Sequence, residues 1–284
     1  KWQIMIHGES YKPIVAEAAK KSADKIYNRI MITHLLMDEA KENRVGGAVG
    51  FNMRTGDFHV FRAKAVIVAA GRSERMAGLD KLFIPLVRKP VLGHTIAAFQ
   101  SAPSIQQIVL VLNHSNIHLG ESLVSECCFD KVVSICHGGE RRQDSVSNGL
   151  KAMLNCDWVV VHDGARPCVE QELVERGLEQ ALRLGSAVAA LPMNDTIKSA
   201  GVDFHVTSTI NRTGLWAVQT PQVFSWKTLW DAHNSLDCNP ENELLATDDA
   251  ALVERSGHPV YLYQGSPSNI KVTTPSDLVV AEAV

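Results

Sequence analysis

Short apolar runs set between polar, often glycine-bearing loops dominate the chain from residue 66 onward. Val66–Ala70, Ile108–Leu112, Val132–Ile135, Trp158–Val161 and Val188–Leu191 are each four or five residues long, with little polar interruption. Runs of that length predict strands covered on both faces. A helical pattern over about Val91–Ser101 lies between the first two. Strands alternating with helical patterns predict an α/β fold with a mostly parallel sheet, built as one domain over residues 66–284.

Residues 1–65 differ in style. Ser10 is a candidate helix cap with Pro13 in the first turn, and Ile14, Ala18, Ile26 and Ile30 form a stripe that predicts a helix over about 12–42. Ala48–Phe51 and Asp57–Phe61 then flank Arg54-Thr55-Gly56-Asp57 in a hairpin-like pattern. The segment carries no carboxylate pair, no nucleophile with a base and no phosphate loop. It is expected to be a helix-hairpin appendage without chemistry of its own.

Ligands of an open parallel sheet gather outside the carboxyl ends of its strands, so the polar sequence after each run is where chemistry is expected. Val66–Ala70 leads into Gly71 and a loop with Arg72, Arg75 and Lys81. Small residues at Ala69, Ala70 and Gly71 allow a ligand close to the backbone, and amides beside cations suit a polyphosphate. The loop is not a Walker A sequence, because Leu82 follows Lys81 where Ser or Thr would hold magnesium. Nor is it G-x-G-x-x-G, since Ser73 stands at the second glycine. Alone, it reads equally as a phosphate loop or a solvated turn. Gly138-Gly139 opens a glycine turn before a helix expected to start near Ser145, which suits a base or phosphate but also an ordinary charged helix start. Asp163 closes the fourth run, placed for magnesium or a substrate hydroxyl, with Arg166 able to hold that carboxylate or a phosphate. A purely structural Asp–Arg pair fits as well.

Composition narrows the field. A net charge of −3 argues against nucleic acid or an anionic membrane as partner. No apolar run approaches the roughly 20 residues of a membrane span. The first residues, KWQIMIHGES, lack the pattern of a signal peptide. The six cysteines form no C-x-x-C pair and read as reduced thiols, and the eleven histidines show no metal-ligand spacing. The expectation is a soluble cytoplasmic protein.

From about residue 66, the motifs AAGRSERM with Lys81, GGERRQDSV, HDGARP, NDTIK, NRTGLWAVQTPQVF, ATDDA and NIKVTTPSDL follow in order. Together they resemble the 2-C-methyl-D-erythritol 4-phosphate cytidylyltransferases of non-mevalonate isoprenoid synthesis. The resemblance implies a Rossmann-like nucleotidyltransferase fold that transfers CMP from CTP to the polyol phosphate. Arg75 and Lys81 would stabilise the charge of attack on the α-phosphate, with Arg212 and Lys271 orienting the acceptor. Ala69, Ala70, Gly71, Gly139 and Ser145 would form the cytidine pocket. Asp163, Arg166, Thr196, Thr220 and Thr247 would bind the acceptor. Magnesium would be carried mainly by the CTP phosphates, with Asp163 nearby and no dedicated protein metal site. The stretch 192–214 would be an arm exchanged between the subunits of a homodimer. Other polyol phosphates, notably ribitol 5-phosphate, are the alternative acceptors.

Three positions depart from that family's pattern: Gly164 after the Asp, Glu140 in the glycine turn, and Val87-Arg88-Lys89-Pro90 in place of a glycine-bearing turn. Lys1–Ala70, in contrast, resembles an internal piece of the flavoprotein (alpha) subunit of adenylylsulfate reductase. That family's dinucleotide fingerprint is not in this stretch, so neither flavin binding nor reductase activity is expected. The chain thus reads as a fusion joined at about 65–71, and a product disabled as an enzyme by that fusion is the further alternative.

Overall fold

The computed structural model describes residues 30–37, 45–52, 58–61, 64–70, 75–76, 79–153, 156–234 and 247–284. The chain divides into two units, the first ending at Phe61 and the second beginning at Arg62. The first contains an antiparallel sheet of β1 (Ile30–Met37), β2 (Val45–Asn52) and β3 (Phe58–Phe61), in that order. β2 pairs with β3 from Ala48↔Phe61 to Phe51↔Phe58, which are the two arms expected of the hairpin. The helix expected over 12–42 is corrected here, because residues 30–37 form a strand. Ile30, Ile32 and Thr33 are β-branched and stiff in a helix, and β2 supplies a ladder of partners that no local stripe reveals. The rest of that expected helix and the turn at 54–57 lie outside the described residues.

The second unit is built on a seven-stranded sheet. Its strands in chain order are β4 (Lys64–Ala70), β5 (Gln107–Leu112), β6 (Val132–His137), β7 (Trp158–Asp163) and β8 (Ser186–Pro192). After a separate hairpin, β9 (Ile197–Ala200) with β10 (Val206–Ile210), come β11 (Trp216–Ser225) and β12 (Leu262–Gln264). The order across the sheet is β6-β5-β4-β7-β11-β8-β12. All neighbours are parallel except β11, which runs antiparallel to β7 and to β8.

Alternate residues of β4 enter opposite cores, as the two-residue period of a strand requires. Val66 and Val68 pack with Ile96 and Phe99 of α1 (Val91–Ser101) and with Leu173 and Leu178 of α4 (Gln171–Leu184). Ala65 and Ile67 pack with Val146 and Leu150 of α3 (Arg142–Ala152), and this second core continues to Leu229 and Val253. Those last two belong to α5 (Trp226–Asn234) and α6 (Asp249–Arg255). α2 (Ile117–Glu126) adds Leu123 to the first core, and α7 (Pro275–Ala283) closes a smaller cluster with Val91 and Val272. Close approach is built in: a Cβ at Gly149 of α3 would lie 2.9 Å from Ile67. The helix expected near Ser145 begins earlier, at Arg142, where Asp144 accepts the Arg141 backbone N–H at 3.1 Å. No helix among the described residues is long and apolar enough to cross a membrane.

Candidate active site

The reversed strand makes the site. Because β11 runs against β7, with Val161 opposite Gln222, its first half lies at the edge where β7 ends in Asp163. The same edge receives the end of β4, with Asp163 opposite Ala69. The Asp163 backbone N–H donates to Thr220 Oγ1 at 3.1 Å, tying the two strand ends together. Asn269 Nδ2 donates to the Thr220 carbonyl at 2.7 Å, and Arg166 Nη1 donates to the Asn269 carbonyl at 2.7 Å. Thr220 precedes a cis proline, Pro221.

Asp163 is 8% exposed and meets three cations. Arg166 Nε and Lys271 Nζ lie 3.2 and 3.1 Å from Oδ2, and Arg142 Nε lies 3.9 Å from Oδ1. Burial by itself would push this carboxyl up. Lys271, Arg142 and Arg166 outweigh it and hold the group well below the usual carboxylate range. Asp163 is therefore an ionised acceptor at neutral pH.

Beside it opens a cleft of about 240 Å³ lined by Arg142, Asp163, Arg166, Thr220, Thr247 and Lys271, with Val218, Gln219, Gln222 and Asp248 completing the wall. Two threonine side chains, amides and cations around one fixed carboxylate suit a small polyol that carries phosphate. Five of the residues expected to handle the acceptor thus meet at one place: Asp163, Arg166, Thr220, Thr247 and Lys271. Thr196 and Arg212 do not join them. Both are exposed, Thr196 just before β9 and Arg212 in the turn after β10.

The nucleotide-side residues fall on neighbouring strand ends. Ala69 and Ala70 are the last two residues of β4. Gly71 lies outside the described residues. Arg75 belongs to a two-residue strand paired with Leu79–Asp80. Lys81 starts a single 3₁₀ turn whose cap is Asp80, accepting Leu82 N–H at 3.0 Å. Asp80 is held in turn by the Asn113 and Asn116 amides just beyond β5. Lys81 is 9% exposed and forms no ion pair with a described residue, a setting that favours an anion beside it.

Ser145, in the first turn of α3, braces the glycine turn. Its hydroxyl accepts the Gly139 N–H at 3.1 Å and donates to the Arg141 carbonyl at 3.2 Å. At Gly139 a Cβ would stand 2.3 Å from Cβ of Asp144, so the turn admits no larger residue. The exchange at Val87 leaves a mark, since this exposed β-branched residue holds φ 55. At Gly164 the turn closes normally, its N–H donating to the Ala69 carbonyl at 3.1 Å.

Sequence reasoning missed Arg142, Gln222, Asp248 and Asp249. Gln222 Nε2 donates to Asp248 Oδ2 at 2.7 Å and its Oε1 accepts the Ala250 N–H at 3.1 Å, which docks α6 on the sheet. Asp249 is fully buried against Arg142. The available signal was a pair of carboxylates directly before the apolar run Ala250–Val253.

Residues 63–284 match the family model described as IspD: 2-C-methyl-D-erythritol 4-phosphate cytidylyltransferase. A protein of that name from Dehalococcoides mccartyi is 48% identical over 218 residues, covering 77% of this chain and 93% of its own. One from Clostridium acetobutylicum is 43% identical over 223 residues, covering 78% and 96%. The crystal structure of the Thermus thermophilus enzyme of that name superposes with a TM-score of 0.63 at 33% identity, over 78% of this chain and 97% of its own. A 4-diphosphocytidyl-2C-methyl-D-erythritol synthase structure from Anaerococcus prevotii gives 0.67 at 28% identity, covering 78% and 94%. Since the matched span takes in every strand of the seven-stranded sheet and the whole cleft, the chain belongs to the 2-C-methyl-D-erythritol 4-phosphate cytidylyltransferase family.

Proposed function

We propose that the protein transfers CMP from CTP to 2-C-methyl-D-erythritol 4-phosphate, releasing pyrophosphate and giving 4-diphosphocytidyl-2-C-methyl-D-erythritol. The observation that carries the reading is the ionised Asp163 among three cations in a threonine-lined cleft, within a chain of this family. An oxygen of the acceptor phosphate attacks the α-phosphorus of CTP, and the bond to the bridging oxygen of pyrophosphate breaks. The nucleophile is already ionised, so no general base is required. Catalysis then rests on positioning and charge neutralisation.

In this reading the Asp163 carboxylate accepts hydrogen bonds from the acceptor hydroxyls and the Thr247 hydroxyl adds a further one, with Thr220 and Arg166 fixing Asp163. Lys271 and Arg212 orient the acceptor phosphate. Lys81 and Arg75 take up the charge that develops at the α-phosphate. Ala69, Ala70, Gly71 and Gly139 bring backbone groups to the cytidine, with Ser145 holding the glycine turn. Among the described residues no three His, Cys, Asp or Glu side chains could cage a metal. A magnesium ion would be held mainly by the CTP phosphates, with Asp163 able to offer it a carboxylate oxygen. When bound, magnesium neutralises phosphate charge.

Thr196 and Arg212 serve the partner's cleft in a homodimer built through the arm 192–214, supported by the exposed Phe204, Val206 and Ile210 on that hairpin. Residues 1–65 are an appendage joined to a catalytic domain over 66–284, bind no flavin and take no part in the reaction, which occurs in the cytoplasm. Pyrophosphate release with CTP and magnesium tests the reading, comparing methylerythritol phosphate with ribitol 5-phosphate. Release with the first alone supports it. Preference for ribitol phosphate moves the acceptor. Silence with both overturns it for the fused chain, and restored release after removal of residues 1–65 would assign the loss to the fusion.

A further inference from the structure

Behind the cleft, a second buried carboxylate governs the first through Arg142. Asp249 is fully buried and accepts Arg142 Nη1 at 2.5 Å on Oδ2 and His233 Nε2 at 3.1 Å on Oδ1. The His233 side chain is 4% exposed and comes from α5, whereas Asp249 opens α6 and Arg142 opens α3. Three helices are thus joined at one ion. Burial would push the Asp249 carboxyl up, but Arg142 and His233 hold it below its ordinary range, so it is ionised. An ionised carboxylate only accepts, so His233 carries a proton on Nε2.

The geometry at Asp163 is lopsided without Arg142. Arg166 and Lys271 both approach Oδ2, and Arg142 is the cation at Oδ1. Were Arg142 to swing away, the carboxylate would turn toward the two cations on its other side. Arg142 Nη2 is itself buried with no hydrogen-bond partner among the described residues, and the guanidinium's hydrogen bond is the one to Asp249. Asp249 in turn is held in place by its neighbour Asp248, which binds Gln222 of β11.

We propose that His233 and Asp249 are positioning residues for the acceptor: they lock Arg142, and Arg142 keeps Asp163 turned to meet the acceptor hydroxyls. This rests on the cytidylyltransferase reading above. The test is steady-state pyrophosphate release by the full chain, varying each substrate in turn. His233→Leu should raise the KM for the acceptor about tenfold and leave the KM for CTP within about twofold, the effect of losing one charge-assisted hydrogen bond. His233→Gln, which keeps an N–H donor at similar reach, should restore the acceptor KM to within about threefold of wild type. If the Leu variant fails to fold by circular dichroism, His233→Gln and Asp249→Glu decide: Gln should keep the acceptor KM and Glu, displaced by one methylene, should raise it.

A parallel rise in both KM values overturns the positioning role. So does an acceptor KM that no variant moves, or a Gln variant no better than a folded Leu one. Turnover by the wild-type chain separates the two levels. Without it the parent reading fails, and with it an unmoved acceptor KM removes only His233 and Asp249.

Discussion

Two regions of the second unit hold the residues that the family resemblance assigns to the acceptor, and they are built in opposite ways. The cleft at the end of β7 is braced by contacts within one chain, with Asp163, Arg166 and Lys271 in ion pairs and the backbone tied through Thr220 and Asn269. The hairpin of β9 and β10 leaves Val202, Phe204, Val206 and Ile210 exposed, and Thr196 and Arg212 with them. Charge sits inside in one region and apolar surface outside in the other. The cleft can hold its geometry from its own contacts, whereas the functional value assigned to Arg212 requires a surface that the isolated hairpin does not contain.

The largest expected effect tests how far the cleft depends on its central charge. Asp163→Asn leaves three cations facing a neutral amide and should destabilise the second unit by about 3–5 kcal/mol at pH 7, measured by denaturant unfolding. Asp163 is held below its unfolded value of roughly 3.9, so its contribution is complete above about pH 5 and is lost as pH falls through that range and below. The gap between wild type and variant should therefore shrink on acidification. A gap that stays constant with pH would remove ionisation of Asp163 as its cause.

Next comes Lys81→Ala. Turnover should fall about 100-fold or more, with CTP binding weakened yet measurable by calorimetry. Near-normal turnover would take Lys81 out of the mechanism. On the arm, Arg212→Ala should raise the acceptor KM about tenfold with little change for CTP. Adding Phe204→Asp should shift the sedimentation profile toward monomer and raise the acceptor KM in step. A monomeric variant with unchanged kinetics would break the contrast drawn here, because the arm would then serve no partner's site. The smallest effect is a control outside both regions. Val87→Gly relieves a β-branched residue at φ 55 and should add about 1 kcal/mol of stability, leaving both KM values unchanged.

Legibility differed strand by strand for physical reasons. β4, β5, β7 and β8 were readable because both faces are covered, which demands nearly continuous apolar sequence, and the half-buried edge strand β6 was readable from its run of Val and Ile. β11 was not, although its Val223 and Phe224 are fully buried. Thr220 and Gln222 serve the cleft and Pro221 interrupts the run, so function broke the pattern that announces a strand. Ile30–Met37 failed in the opposite direction, because a helical stripe and β-branched residues overlapped and a distant partner settled the outcome.

By itself, the order of apolar runs and polar motifs determined that residues 66–284 form a mostly parallel α/β sheet with ligand chemistry at the carboxyl ends of its strands, since a buried strand and a phosphate-binding turn each impose a local composition. It also marked Asp163, Arg166 and Lys81 as candidates at strand ends, whereas Lys271 entered only through the family resemblance. Only the tertiary structure decided that β11 is reversed, that Arg142 reaches both Asp163 and a buried Asp249, and that Arg212 stands apart from the cleft. Those facts depend on contacts between residues up to 107 positions apart. Such contacts follow from how layers pack and which charges burial forces together, and no local pattern encodes them.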